Sequence, residues 1–189
     1  MRHGNLFVIS GPSGAGKGTL VARLLEAVDD AWVSVSVTTR SPRPGEIEGI
    51  HYFFASDEQF DRLIAEDGLL EWANVHGCRY GTPRKTVEGH MAAGEQVILE
   101  IDVQGAFLVR DKMPQAHLIF IEPPSLEVLE ERLRGRATES EDVIEKRMQT
   151  AILELSRKME YDIRLVNDDL DVATDQLVAY IDEQAESNR

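Results

Sequence analysis

A short apolar run, Leu6-Phe7-Val8-Ile9-Ser10, leads directly into Gly11-Pro12-Ser13-Gly14-Ala15-Gly16-Lys17-Gly18-Thr19. The run is closed by a turn, which predicts a buried strand. After the glycines, Leu20, Leu24 and Val28 fall on one stripe and predict a helix over Thr19–Val28. The glycine-rich link carries the spacing G-x-x-x-x-G-K. Glycines there let several backbone N–H groups turn toward one point, where side chains would block an approaching phosphate. The following helix aims its positive end at the same point. Strand, loop and helix together predict a nucleoside triphosphate site at Gly11–Thr19, with Lys17 bridging the outer phosphates.

Downstream, apolar strands alternate with helices, which predicts an α/β domain on a parallel sheet flanked by helices. Val33, Val35 and Val37 alternate with Ser34 and Ser36 and predict one half-buried strand. Gln96–Asp102, His117–Ile121 and Arg164–Val166 predict three more, the second stopped by Pro123-Pro124. Ser125 is expected to cap a helix running to Leu133. Residues 134–162 are densely charged with a helical period, and Leu170–Ala185 predicts a C-terminal amphipathic helix.

The alternation fails from about residue 36. Arg40–Gly49 holds two prolines and two glycines and predicts a loop. Ser56 with Gln59 has the form of a capping box for a helix over Phe60–Glu66. Tyr80–Pro83 predicts a turn, and Pro83–Ala93 another helix. The expected division is a core of about 1–35, 95–133 and 155–189, an inserted mixed α/β lobe of about 36–94 and a charged helical segment of about 134–154.

The chain of 189 residues carries 20 basic and 34 acidic side chains, a formal net charge of -14. That balance disfavours nucleic acid and anionic membrane surfaces as partners, while leaving room for a locally basic pocket. Cys78 is the only cysteine, so no intrachain disulfide or thiolate cluster can form. No apolar run reaches spanning length, and a cytoplasmic protein is expected. A homo-oligomer stays open.

Two segments narrow the chemistry. The loop ends Gly16-Lys17-Gly18-Thr19, so glycine stands where such loops usually place a magnesium-binding hydroxyl. The metal is then expected to be held mainly by phosphates and water, with Thr19 or Asp102 as the nearest protein oxygens. The ending resembles nucleoside monophosphate kinases such as adenylate kinase. The second segment, Thr38–Phe54, gathers Arg40, Arg43, a carboxylate and Tyr52 on a rigid loop, a set suited to bidentate capture of a dianion.

With these residues, the sequence closely resembles guanylate kinase. The likeness extends through Leu70-Glu71-Trp72-Ala73, Tyr80-Gly81-Thr82, Leu99–Gly105, Ile121–Ser125, Arg132–Arg136 and Val166–Asp169, nearly the whole chain in order. The resemblance implies transfer of the ATP γ-phosphate to GMP, and to dGMP, with Mg²⁺, in purine metabolism. It places GMP on Ser36, Arg40, Arg43, Tyr52, Glu71, Tyr80, Thr82 and Asp102, with Glu100 in support. Arg132, Arg136 and Arg147 match lid arginines over the phosphates, and Asn167 a position near the adenine of ATP. Lys17, Arg40, Arg136 and Arg147 are the expected catalytic set. Chemically, Glu71 offers acceptors to the N1–H and 2-amino groups of guanine, while Ser36 or Thr82 can donate to O6. Glu100 and Asp102, two apart at a strand end, are expected on one face. A non-catalytic scaffold of this fold, or a kinase with another acceptor, are the rival readings.

Overall fold

Strand β1 (Leu6–Ser10) is buried throughout and lies at the centre of the molecule. In this computed structural model, which describes residues 2–75, 77–135 and 140–187, it pairs in parallel with β7 (Gln96–Glu100) and β8 (His117–Glu122). β2 (Ala31–Val33) joins the far edge of β7, and β9 (Ile163–Val166) that of β8. The result is a five-stranded parallel sheet ordered β2-β7-β1-β8-β9.

Alternation along β1 divides the core. Phe7 and Ile9 pack with Leu20 and Leu24 of α1 (Lys17–Ala27) and with Leu177 and Ile181 of α7 (Leu170–Ser187). Leu6 and Val8 face the other way, onto Val87 of α3 (Arg84–Ala92) and Val103 and Val109 of α4 (Val103–Lys112). A strand covered on both faces has no polar side, which is why the run reads as continuously apolar. Outside the sheet, α5 (Leu126–Arg134) and α6 (Glu141–Ser156) share a small core of Leu129, Leu133 and Ala151. Ser125 caps α5, accepting from the Val128 N–H at 3.2 Å. Among the described residues, no helix is long and apolar enough to cross a membrane.

A second sheet, ordered β4-β3-β6-β5, is built from β3 (Val37–Thr38), β4 (Phe53–Phe54), β5 (Leu69–Val75) and β6 (Cys78–Pro83). Helix α2 (Asp57–Ala65) closes it over Val37, Phe60 and Leu69.

Four expectations from sequence need correction. The valines at 33, 35 and 37 do not form one strand, because β2 and β3 belong to different sheets. Ser34 still donates to Ile98 of the parallel sheet, at 2.9 Å, while Ser36 already accepts from Phe53 of the second sheet, also at 2.9 Å. Alternation reports an extended chain and says nothing about which sheet it joins. Tyr80–Pro83 is strand, since Tyr80 pairs with Thr38 on one side and Ala73 on the other. The capping box at Ser56 and Gln59 is present, but α2 starts at Asp57, directly after its cap, rather than at Phe60. β7 ends at Glu100, and Asp102 is the N-cap of α4. Strand spacing therefore does not reach Asp102.

Phe120 of β8 is fully buried and meets the Tyr161 ring edge-on, with centroids 5.0 Å apart. Phe120→Ala is expected to cost about 3–5 kcal/mol of stability, read as a lowered midpoint in urea denaturation.

Candidate active site

The loop between β1 and α1 is shaped by two positions that admit no side chain. Gly11 has φ +143, and a Cβ there would lie 2.2 Å from the Ile121 carbonyl oxygen. Gly16, the N-cap of α1, has φ +92, and its Cβ would meet Asn167 Nδ2 at 2.2 Å. Asn167 is buried beyond the end of β9 and donates from Nδ2 to the Ala15 carbonyl at 2.8 Å. Its own carbonyl accepts from the Arg132 guanidinium at 3.0 Å. Arg132 and Asn167 thus brace the loop from behind. Lys17 turns its ammonium back onto the carbonyls of Gly11 (2.6 Å) and Pro12 (3.1 Å), a pose in which phosphate oxygens can replace backbone acceptors.

Facing the loop is a cavity of about 480 Å³. Gly11, Ser13 and Lys17 form one wall, and Lys146, Arg147 and Glu154 of α6 another. Arg147 reaches across to donate to the Ser13 hydroxyl at 3.2 Å. Glu100 and Asp102 also line the space. Asp102 commits Oδ1 to the Gly105 N–H at 2.7 Å, as the cap of α4. Both carboxylate oxygens of Glu100 lie 3.7 Å from where a Cβ on Gly18 would stand. Thr19 is exposed and is not among the residues that line the cavity. Arg136 lies outside the described residues.

On the second sheet, Arg40 donates to Glu46 at 2.7 Å, with its guanidinium 5.3 Å from the centroid of the Tyr52 ring. The rings of Tyr52 and Tyr80 meet edge-on at 5.9 Å. The Arg43 N–H donates to the other Glu46 oxygen at 2.7 Å, while its side chain is exposed. Hydrogen bonds from Arg40 and then from the Arg43 backbone pull the Glu46 carboxyl down to about 2. Glu46 holds Arg40 in one pose, a part the sequence reading left unassigned.

Across the β5–β6 pair, the buried Thr82 donates its hydroxyl to Glu71 Oε1 at 2.5 Å. Burial pushes the Glu71 carboxyl above the ordinary range, the Thr82 hydrogen bond opposes the shift, and nearby Asp102 adds to it. Glu71 Oε2 and Asp102 Oδ1 each lie 3.4 Å from the position a Cβ on Gly105 would take. The second sheet therefore meets the edge of the phosphate-loop cavity at this glycine. Ser36 sits half-buried at the crossover between the sheets.

Sequence reasoning missed Lys146 and Glu154. The signal was weak: Val143, Arg147, Thr150 and Glu154 recur at helical spacing, but in a charged stretch this resembles a solvated face.

Comparison with known proteins points one way. The guanylate kinase family model matches residues 3–184. The guanylate kinase of Thermobifida fusca (strain YX) is 53% identical over 176 residues, 93% of this chain and 90% of that protein. That of Parasynechococcus marenigrum (strain WH8102) is 56% identical over 170 residues, 90% of this chain and 93% of that protein. The crystal structure of guanylate kinase from Anaplasma phagocytophilum matches with a TM-score of 0.74 at 34% identity, covering 98% of this chain and 88% of that one.

The two loop glycines beside Lys17 should respond oppositely to substitution. Gly16→Ala drives a methyl into Asn167 at a positive φ, and is expected to weaken triphosphate binding at least tenfold. Gly18→Ser meets only an ordinary 3.7 Å contact and should keep its stability within about 0.5 kcal/mol. Calorimetric titration with ATP and thermal melting of each variant decide the matter.

Proposed function

Because the chain belongs to the guanylate kinase family, we propose that its site transfers the γ-phosphate of ATP to the 5′-phosphate of GMP or dGMP, giving ADP and the diphosphate. One observation carries the reading: a single cavity joins Lys17 and Arg147 to Asp102, which borders the Glu71–Thr82 pair. A donor phosphate site and a hydrogen-bonding site for a base are therefore neighbours.

An oxygen of the acceptor phosphate attacks the γ-phosphorus in line, and the bond to the ADP oxygen breaks. The acceptor is already an anion, so no strong base is needed, and catalysis is positioning and charge neutralisation. Loop amides and Lys17 hold the donor phosphates. Arg147 neutralises charge on the transferring group, joined by Arg136, and Lys146 adds a further cation. Arg40, Arg43, Tyr52 and Tyr80 hold the acceptor phosphate, with Arg40 fixed by Glu46. Glu71 accepts from N1–H and the 2-amino group, a pattern adenine does not offer, so AMP would leave these buried groups unpaired. Ser36 supplies a donor toward O6, since the Thr82 hydroxyl is engaged with Glu71.

Magnesium suits the hard carboxylate oxygens beside the loop. Among the described residues no three His, Cys, Asp or Glu converge on one point, so phosphates and water supply most of its ligands. Glu100, on the open flank of Gly18, and Asp102 would hold it through water, and when bound it screens phosphate charge.

ADP production with ATP-Mg and each nucleoside monophosphate in turn tests the reading. Activity confined to GMP and dGMP is expected, and no turnover with any acceptor overturns it. Lys17→Ala should lower turnover by roughly 10²–10³-fold or more while calorimetric GMP affinity holds.

Glu71 must be ionised to accept both guanine donors, and burial raises its pKa. The KM for GMP should therefore climb as pH falls through that raised value, where an exposed glutamate is still charged. In Glu71→Gln this component of the pH profile should vanish, and its survival would remove Glu71 from the role.

A further inference from the structure

Phosphate and base each have partners in the reading above, but the sugar of the acceptor has none. Glu154 stands half-buried on the cavity face of α6, two turns beyond Arg147. On a helix that spacing gives one face and a separation of about 10 Å along the axis. Arg147 is anchored over the phosphate loop through Ser13. Glu154 therefore lies beyond Arg147 on the same helix face, still within electrostatic reach of Lys17.

Glu154 borders two spaces, the phosphate-loop cavity and a second of about 420 Å³ that continues past Gln104 and Arg157. Asp102 and Thr150 also border both, so the junction runs between the start of α4 and the end of α6. From Asp102 the site leads on to Glu71, the two carboxylates meeting at the bare face of Gly105. The order along the site is Lys17 and Arg147, then Asp102 and Glu154, then Glu71. A nucleotide runs phosphate, sugar, base. With its phosphate carried on the Arg40–Tyr80 set to the transfer point and its base on Glu71, its sugar would fall at the junction.

The chemistry of the junction suits a hydroxyl donor. A carboxylate beside a phosphate site is unfavourable unless something donates to it. The groups around Glu154 are largely engaged elsewhere. Thr150 donates its hydroxyl to the Lys146 carbonyl at 3.0 Å, and Arg157 is paired with Glu160. Lys17 donates to Gly11 and Pro12 while its charge also bears on Glu154, and Asp102 Oδ1 accepts from Gly105. A sugar hydroxyl adds a neutral donor, and hydrogen bonds to a charged acceptor are the stronger kind.

We propose that Glu154 reads the sugar of the acceptor nucleotide, accepting a hydrogen bond from its 2′- or 3′-hydroxyl. This rests on the transfer reading above and adds a specificity residue to it. Initial rates with GMP, 2′-deoxy-GMP and 3′-deoxy-GMP test it in the wild type, Glu154→Gln and Glu154→Ala. In the wild type, the analogue lacking the contacted hydroxyl should show a KM about tenfold above that of GMP. In Glu154→Ala that ratio should collapse toward one, because the KM for GMP rises and that of the analogue does not. Glu154→Gln keeps an acceptor oxygen and should fall between, with the melting temperature unchanged in both variants. An equal penalty on all three acceptors, or a wild-type ratio that survives in Glu154→Ala, overturns the sugar assignment alone. Failure of the wild type to phosphorylate any acceptor sinks the transfer reading and this inference with it.

Discussion

Parallel pairing of β1 with β7 on one side and β8 on the other forces three strand ends to finish in the same layer. Loops that leave a parallel sheet at its carboxyl edge share one crevice. From β1 comes the phosphate loop, from β7 come Glu100 and Asp102, and from β8 comes the turn that starts α5 and leads to Arg132. Ser10, the last residue of β1, ties the first two exits together by donating its hydroxyl to the carbonyl of Ile101 at 2.9 Å. If β1 lost its burial on either face, the crevice would lose its floor before any site residue was touched.

An acidic protein must concentrate its cations to hold two anions. The formal charge of -14 is an average, and the site departs from it locally. Lys17, Lys146 and Arg147 face one space, while Arg40 and Arg43 gather on the second sheet. Glu46 shows what holds such a cluster in place, since its carboxylate fixes Arg40 and also takes the Arg43 N–H. The pair keeps a planar donor fork preset, which a mobile lysine would not do.

Elements with local signals were legible in the chain. The stripe Leu20, Leu24 and Val28, the Ser125 cap and the Ser56–Gln59 box each depend on neighbours within four residues, and each is present in the structure. Features that depend on distant partners were not. Nothing local tells Ser34 from Ser36, yet they bond to different sheets. Tyr80-Gly81-Thr82-Pro83 has turn composition and becomes strand only because β3 and β5 flank it. The site divides the same way. Lys17 is set by contiguous spacing, whereas Glu154 becomes a wall of the cavity only once α6 is laid opposite the loop.

The brace from Asn167 to Ala15 has a consequence for where the ordering cost of the site is met. Fixing a backbone residue costs roughly 1–2 kcal/mol in lost conformational freedom. In this chain the loop is held by Asn167, Arg132 and glycines already at positive φ. Its amides are arranged during folding, so a triphosphate bound there as proposed would not need to organise them. On the proposed function, nucleotide affinity is thereby coupled to the integrity of the β9 edge, which meets the loop from behind. A change that merely loosens that edge would register first as poorer substrate capture and only later as a less stable protein.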